Sequence, residues 1–134
     1  MKPFVLITRP VAGAAVEMLM TVCEVLPRIA VAERRRPDNR LIAANTQAIL
    51  LGTPDRFDTI VLRDFPLLRV IACTFRLPEH IDLAACTQRG IWVTNVTSHW
   101  FARDAEIEAA RNILDVLGGD PPRCAINDAL APAA

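Results

Sequence analysis

Residues 67–95 contain two apolar, β-branched runs separated by a helix of a few residues, a pattern that few folds other than a parallel α/β sheet accommodate. The runs at 70–73 and 91–94 have the length of buried strands. Between them, Asp82 can cap a helix, and Gly90 stands where a helix end requires a positive φ. Parallel strands joined by a helix cross right-handedly, and open sheets of this kind bind ligands outside the carboxyl ends of their strands. The loop after the first of these strands is therefore a candidate ligand-binding loop.

The same alternation of strand and helix occurs earlier in the chain. Apolar, β-rich runs predict strands at 4–8, 24–27 and 47–51, the second at an edge because Pro27 cannot donate to a central ladder. Helical spacing and capping residues predict the connecting helices, at 11–23, after Asp38 and after Asp58. The expected fold is α/β, a flavodoxin-like three-layer domain with a five-stranded parallel sheet.

A longer helix is predicted at 104–117, where the apolar residues share one face and Gly118-Gly119 ends the pattern. We expect this C-terminal helix to pack on the sheet and the residues after it to lie along the domain. The chain is interpreted as one unit over 1–134, with βα repeats at 1–97, a junction and returning helix at 98–119 and a tail at 120–134.

Composition limits the classes of partner. The 134 residues, 52% of them hydrophobic, suit one compact domain. The 15 basic and 15 acidic side chains balance, which argues against nucleic acid or an anionic membrane as a partner. No apolar run reaches the roughly 18 residues of a membrane-spanning helix, and no secretory cleavage pattern follows the N-terminal run. A cytoplasmic protein is expected.

The four cysteines stand singly beside apolar residues and are interpreted as buried free thiols. Only two histidines, His80 and His99, are present, and no His/Cys set has ligand spacing, so no metal site is predicted. The segment 33–36, with three consecutive arginines, is interpreted as a solvated loop of mixed charge rather than as a basic patch.

The usual cofactor motifs of such sheets are missing. A phosphate cradle requires a Ser/Thr/Gly-rich loop after the first strand, where this chain has Arg9-Pro10-Val11. A phosphoacceptor site requires clustered acids, whereas the third strand ends in Gly52-Thr53. The five glycines never form the GxGxxG turn of a dinucleotide site. We therefore expect no cofactor to bind to this chain alone.

Several longer motifs resemble a known family. They are PDR at 54–56, PLLRVI at 66–71, IDLAACTQRGIWV at 81–93 and NILDVLGG at 112–119, preceded by FVLITRP at 4–10. In this order they resemble the substrate ("catalytic") domain of the D-isomer-specific 2-hydroxyacid dehydrogenases, and within that family they are most similar to phosphite (phosphonate) dehydrogenase. The resemblance covers nearly the whole chain. It implies an oxidoreductase that uses NAD to oxidise a small anionic substrate.

The resemblance also shows what this sequence lacks. In the family, a Rossmann domain with the cofactor fingerprint, the catalytic arginine and the catalytic acid lies between the fifth strand and the returning helix. Here residues 94–101 join the two directly. Hydride transfer requires cofactor and substrate at near-attack distance, so the chain is interpreted as truncated and is expected to be inactive alone.

The family's substrate contacts in the loop after the fourth strand fall on Thr74, Phe75, Arg76 and Leu77. Arg76 stands at the family's lysine and can bind an oxyanion bidentately, or it is a solvated surface arginine. Leu77 replaces a glycine, and neither Leu77 nor the following proline readily adopts a positive φ.

Three further residues have a functional and a structural interpretation. Thr53 lies where the family contacts substrate, or it forms a turn beside a proline. His99 precedes the C-terminal helix, as the family's catalytic histidine does, or it is a histidine of the junction loop. Trp100 lies in the junction, where an exposed aromatic would indicate an interface.

Two hypotheses from different classes follow. The first is an enzyme fragment, the substrate domain of a D-2-hydroxyacid or phosphite dehydrogenase that retains a site for a small anion. The second is a non-catalytic module that uses the face around Trp100 and Phe101 for self-association or a partner protein. Polar groups around a cleft at the strand ends favour the first, and an apolar patch at the junction favours the second. A deletion product or gene remnant is a third possibility.

Overall fold

The computed structural model describes residues 2–26, 29–97 and 101–130. Its five strands form one all-parallel sheet in the order β2-β1-β3-β4-β5. The strands are β1 Phe4–Ile7, β2 Glu24–Leu26, β3 Thr46–Leu51, β4 Val70–Cys73 and β5 Trp92–Thr94. This order is that of flavodoxin-like sheets, and the two three-residue strands, β2 and β5, lie at its edges. The predicted fold class is confirmed.

Helices cover both faces of the sheet. They are α1 Gly13–Met20, α2 Arg40–Asn45, α3 Thr59–Arg63, α4 Leu83–Gln88 and α5 Ala102–Leu117, with a short 3-10 helix at Val31–Glu33. Helices α1 and α5 pack on one face, and α2, α3 and α4 pack on the other. No helix in the described part of the chain is long and apolar enough to cross a membrane.

The central strand β3 shows why the sheet has two cores. Ile49 and Leu51 point into a cluster shared with α3 and α4, whereas Ala48 and Leu50 point into a cluster shared with α1 and α5. Successive side chains of a strand face opposite sides, and a parallel sheet is buried on both. The continuous apolar runs of the sequence follow from this double burial.

Two predicted helix caps are confirmed. The carboxylates of Asp58 and Asp82 accept hydrogen bonds from the backbone amides of Val61 at 2.9 Å and Ala85 at 3.0 Å. Gly90, after α4, has φ of 71°. These short helices therefore begin and end at residues that their sequence specifies.

The predicted cap of α2 is wrong. Asn39 rather than Asp38 is the N-cap residue, and its side chain makes no capping bond. The side-chain amide of Asn39 donates instead to the carbonyl oxygen of Glu33 at 3.0 Å. The residues before the helix form consecutive turns, in which the backbone amide of Asn39 donates to the Arg36 carbonyl at 2.8 Å. The helix therefore starts too far along the chain for Asp38 to cap it.

The interpretation of segment 33–36 as a solvated loop is also wrong in part. The side chain of Arg34 is only 12% exposed, and its Nε donates to the Asp64 carboxylate at 2.7 Å. Arg35 donates to the same oxygen at 2.8 Å. The segment folds back onto the end of α3, because two arginines share one acidic partner there.

The expectation of four buried thiols requires one correction. Cys23, Cys73 and Cys86 are buried, whereas Cys124 is only partly buried. Cys124 follows α5 on the surface of the domain, where its Sγ lies 3.7 Å from a carboxylate oxygen of Glu108.

The residues after α5 return to the sheet, as predicted for the tail. Thr94 and Ala125 form an antiparallel bridge. The side chain of Asn127 accepts from the Val93 amide at 2.8 Å and donates to the Ile91 carbonyl at 2.8 Å. The tail therefore lies along the outer side of β5; residues 131–134 lie outside the described part of the chain.

Candidate functional site

Loops from neighbouring strands meet at the carboxyl edge of the sheet. The amide of Thr74 donates to the carbonyl oxygen of Leu51 at 3.0 Å, which continues the β3–β4 pairing into the loop after β4. A parallel bridge between Phe57 and Ile81 joins the loop after β3 to the loop after β4. In this bridge the Phe57 amide donates to the His80 carbonyl at 2.9 Å. The two loops therefore form one supported surface.

Thr53 lies at this edge, in a polar chain that starts on β1. The backbone amide of Gly52 donates to the hydroxyl oxygen of Thr8 at 3.0 Å, and that oxygen lies 3.0 Å from the hydroxyl of Thr53. The Thr53 hydroxyl donates to the carboxylate of Asp55. A hydroxyl has one proton, so the Thr53 proton is used within the turn. This geometry supports the structural interpretation of Thr53, and its substrate contact stays a prediction.

Arg76 extends from the loop after β4 into solvent. Its carbonyl oxygen accepts a hydrogen bond from the side-chain amide of Asn95 at 3.0 Å, so the end of β5 fixes its backbone. Its guanidinium makes no hydrogen bond or salt bridge within the described ranges and is exposed. Exposure leaves the guanidinium fork open to bind an oxyanion.

The other predicted residues of this loop differ in environment. Thr74 is half-buried with its hydroxyl oxygen 3.5 Å from the Leu51 carbonyl, and Phe75 packs against the core below. Leu77 is 66% exposed. No non-glycine residue in the described part of the chain has a positive φ, so the loop has no left-handed turn at Leu77.

Two cavities open at this edge, and Gly52 and Phe75 line both. The loop cavity has a volume of about 340 Å³ and lies between the loops after β3 and β4, with Asp55, Glu79 and His80 in its wall. The helix cavity has a volume of about 230 Å³ and lies against α5. A mixed polar and apolar lining of this kind suits a small ligand.

Arg9 and Glu106 both line the helix cavity, and the sequence did not identify either as a site residue. Arg9 follows β1, where the sequence predicted only that the first strand ends. Glu106 belongs to α5 and comes to the edge because that helix packs along β3 and β4. The position of Arg9 directly after a buried strand is the signal that could have identified it.

The predictions for the junction have different outcomes. His99 and Trp100 lie outside the described residues, so the catalytic interpretation of His99 stays a prediction. Phe101 is the N-cap residue of α5 and is 73% exposed.

The start of α1 does not fit the pyrophosphate of a nicotinamide dinucleotide. A dinucleotide site places its pyrophosphate on the backbone amides at the N-terminus of the helix after the first strand. Here the Ala12 amide, at the start of α1, donates to a carboxylate oxygen of Glu106 at 2.7 Å. A carboxylate at that position occupies the amide and repels phosphate, which agrees with the missing glycine motif.

A family model described as "D-isomer specific 2-hydroxyacid dehydrogenase, catalytic domain" matches residues 5–100. A glyoxylate reductase from Pyrococcus furiosus is 33% identical over 97 residues, which cover 71% of this chain and 28% of that protein.

Solved structures of other proteins show the same fold. The crystal structure of a Pyrococcus horikoshii protein matches with a TM-score of 0.63 and 25% identity, covering 73% of this chain and 28% of that one. A D-lactate dehydrogenase from Aquifex aeolicus, complexed with NAD and lactic acid, has a TM-score of 0.55 at 20% identity, over 71% of this chain and 28% of its own.

The chain is an α/β domain with polar side chains at the carboxyl edge of its parallel sheet. The match to the family model spans most of the sheet domain. The chain belongs to the D-isomer specific 2-hydroxyacid dehydrogenase family, through the catalytic domain of that family. It spans 28% of the length of the glyoxylate reductase that it matches. The predicted family is confirmed, and the closer similarity to phosphite dehydrogenase stays a prediction.

Proposed function

We propose that this chain forms the substrate side of a D-2-hydroxyacid dehydrogenase and binds a small carboxylate or a related oxyanion. In this proposal, hydride transfer requires a nucleotide-binding domain that these 134 residues do not include. The chain by itself is then a truncated form that binds anions and is catalytically inactive.

The exposed guanidinium of Arg76 is the observation that supports the proposal most directly. It lies at the carboxyl edge, on a loop that Asn95 ties to β5. A guanidinium binds a carboxylate through two parallel N–H···O bonds, which fixes both the position and the orientation of the acid. Arg9 supplies a second cation at the same edge.

The relatives suggest the class of anion. One is a glyoxylate reductase, and another was crystallised with lactic acid. Glyoxylate and lactate each carry a carboxylate that Arg76 could bind. Phosphite is the more specific candidate, because the loop after β4 resembles that of phosphite dehydrogenases. A tetrahedral oxyanion can also accept two parallel hydrogen bonds from the Arg76 guanidinium.

The proposed inactivity rests on the connection between β5 and α5. Hydride transfer requires the nicotinamide and the substrate to be held in contact. Residues 95–101 join Thr94 to Ala102, whereas even one βαβ unit of a nucleotide-binding domain requires about 30 residues. At the start of α1, the Ala12 amide already donates to the carboxylate of Glu106 from α5. This contact argues against a replacement pyrophosphate site there.

Thermal unfolding with added anions tests the binding site. We expect glyoxylate or phosphite to raise the melting temperature by about 10 °C at a concentration about 100 times the Kd. Arg76→Ala should abolish this rise. Arg111→Ala is the matched control, because Arg111 lies on α5 and is half exposed, with a 3.5 Å contact to Glu108. No rise in the parent chain, or an equal rise in Arg76→Ala, would contradict the anion site.

Calorimetry with NAD tests the second part of the proposal. We expect no measurable heat of binding and no oxidation of NADH by the purified chain with glyoxylate. A micromolar Kd for NAD would show that the chain contains a cofactor site and would overturn the proposed division of roles.

A second candidate function concerns the junction face. Phe101 is 73% exposed at the start of α5, and the next residue, Ala102, lines the helix cavity. An uncovered aromatic beside a site favours coverage by another protein surface, here proposed as self-association through this face. Light scattering should show a concentration-dependent dimer that Phe101→Ser weakens. A monomer at all concentrations would contradict this role.

A further inference from the structure

The outer face of α2 and α3 contains a basic cleft of about 400 Å³, remote from the carboxyl edge. We call it the arginine cleft, and its polar wall consists of Arg34, Arg35, Arg40, Arg63 and Asp64. It lies toward the amino edge of the sheet, because α2 and α3 both run back to that edge before β3 and β4 begin. We propose that the arginine cleft binds a phosphorylated small molecule.

The charge of the cleft differs from that of the chain. The sequence as a whole has 15 basic and 15 acidic residues. The cleft combines four guanidiniums with one carboxylate, that of Asp64. Positive charge in a concave site with low-dielectric walls attracts anions more strongly than the same charge on a flat surface.

Hydrogen bonds fix most of the guanidiniums before a ligand arrives. Asp64 accepts from the Nε atoms of both Arg34 and Arg35, at 2.7 and 2.8 Å. Arg34 also donates from Nη1 to the Val31 carbonyl at 3.1 Å, and the Nε of Arg40 donates to the Arg35 carbonyl at 2.9 Å.

These internal bonds leave donors for a ligand. A guanidinium has five N–H donors, and the bonds above use two of those on Arg34 and one each on Arg35 and Arg40. A preordered cluster loses less side-chain entropy when it binds an anion. The cluster is therefore arranged to hold a multiply charged oxyanion such as a phosphate group.

The size and lining of the cleft favour an organic phosphate over the bare ion. A volume of about 400 Å³ lies in the range of small-molecule sites, about 300–1,000 Å³. Ala43, Ala44 and Pro66 add an apolar surface for the body of such a ligand. Exposed Glu33 and Asp38 lie on the adjoining segment, which confines the basic surface and disfavours a nucleic-acid strand.

Calorimetry on the full chain at fixed ionic strength tests the proposal, with inorganic pyrophosphate and ribose 5-phosphate as probes and ribose as the uncharged control. We expect both phosphates to bind and ribose not to bind. The double variant Arg35→Ala/Arg63→Ala should lose about tenfold in affinity for each arginine removed. Both side chains are exposed, and Arg34 still pairs with Asp64 when Arg35 is removed, so we expect at most a small drop in melting temperature without ligand and the circular dichroism spectrum of the parent.

A matched control tests whether any exposed arginine would have the same effect. Arg111→Ala also removes one exposed arginine, from α5 on the opposite face of the sheet, and we expect it to leave pyrophosphate affinity unchanged. Replacement by lysine, Arg35→Lys/Arg63→Lys, should retain part of the affinity, because charge is kept while the fork is lost. Equal affinity in the parent and the double alanine variant would overturn the proposal. Loss of binding in Arg111→Ala, or binding of a duplex DNA without binding of pyrophosphate, would also overturn it.

Discussion

The side-chain amide of Asn95 donates to the carbonyl oxygen of Arg76 at 3.0 Å, so the end of β5 holds the loop that follows β4. The amide of Val96 adds a second tie, to the carbonyl oxygen of Phe75 at 3.3 Å. Because the Arg76 side chain is exposed, the position of its guanidinium depends on this anchored backbone. Asn95 is therefore a positioning residue for the proposed anion site.

Asn95→Ala should weaken anion binding without unfolding the domain. Loss of one partly exposed hydrogen bond should lower the free energy of unfolding by about 1 kcal/mol. The melting-temperature rise caused by glyoxylate or phosphite should shrink at the same time. Asn45→Ala is the control, since Asn45 donates to the Leu41 carbonyl at 2.8 Å within α2. Unchanged anion affinity in Asn95→Ala would show that the tie does not position Arg76.

Gly52→Ala should displace Arg9 from the edge of the helix cavity. A Cβ at Gly52 would lie 2.5 Å from Cγ of Arg9, too close for a normal contact. Arg9 is exposed and flexible, so we expect a small loss of stability but weaker anion binding, as in Arg9→Ala. Gly13→Ala is the control, because nothing lies within 4 Å of a Cβ there. Full anion affinity in Gly52→Ala would exclude Arg9 from the site.

Asn127→Ala should destabilise the chain by about 2–3 kcal/mol in denaturant unfolding, because it leaves buried backbone groups of β5 unpaired. The side chain bonds to the Val93 amide and the Ile91 carbonyl, and also donates to the Thr87 hydroxyl at 3.1 Å. Asp128→Ala, whose side chain bonds only to the amide of Leu130 within the described residues, should cost much less. Equal losses in the two variants would contradict the role of Asn127.

Acid should weaken the pairing of Asp64 with Arg34 and Arg35. Burial alone would raise the pKa of Asp64, but the hydrogen bonds and charges of Arg35 and Arg34 lower that pKa below 3.8. A lowered folded pKa adds stability above the unfolded pKa, about 3.9, and this stability disappears as pH falls through the folded pKa.

Urea unfolding of the parent chain and of Asp64→Asn from pH 7 to acid tests this expectation. The parent should be the more stable at neutral pH, and the difference should shrink below about pH 4. A difference that stays constant or grows on acidification would contradict it.

Cys124 should be the thiol that reacts with a disulfide reagent in the native chain at pH 8. Burial raises the pKa of Cys73 and Cys86 to about 12, and it also raises the pKa of buried Cys23. Burial also raises the pKa of Cys124, but this thiol is only partly buried, so reagent can reach it. Cys124→Ser should remove the fast reaction, and a fast reaction that persists in this variant would contradict the assignment. All four thiols should react after denaturation.

The sequence predicted the sheet well because its signals are local. Apolar runs located the strands, Pro27 marked β2 as an edge strand, and the carboxylates of Asp58 and Asp82 marked two helix starts. Each of these signals depends on residues a few positions apart, which a single sequence displays directly.

The candidate site was predictable only in part. Arg76 could be placed at the carboxyl edge because it follows β4. That Arg9 and Glu106 line one cavity, and that Arg34 pairs with Asp64 in another, depends on how helices pack across the sheet. No sequence pattern near these residues encodes such contacts. The sequence likewise left Thr53 open between a substrate contact and a turn, because the bond of its hydroxyl to Asp55 is a detail of turn geometry.

The docking of the tail on β5 has a consequence for how copies of the chain behave together. An open edge strand exposes unpaired N–H and C=O groups, which template the addition of strands from other molecules. Asn127 occupies such groups on Val93 and Ile91, and the Ile126 amide takes the Val93 carbonyl at 2.9 Å. The docked tail therefore protects β5 from pairing with the edge strands of other molecules. Variants that release the tail should form β-rich assemblies before they lose their helices.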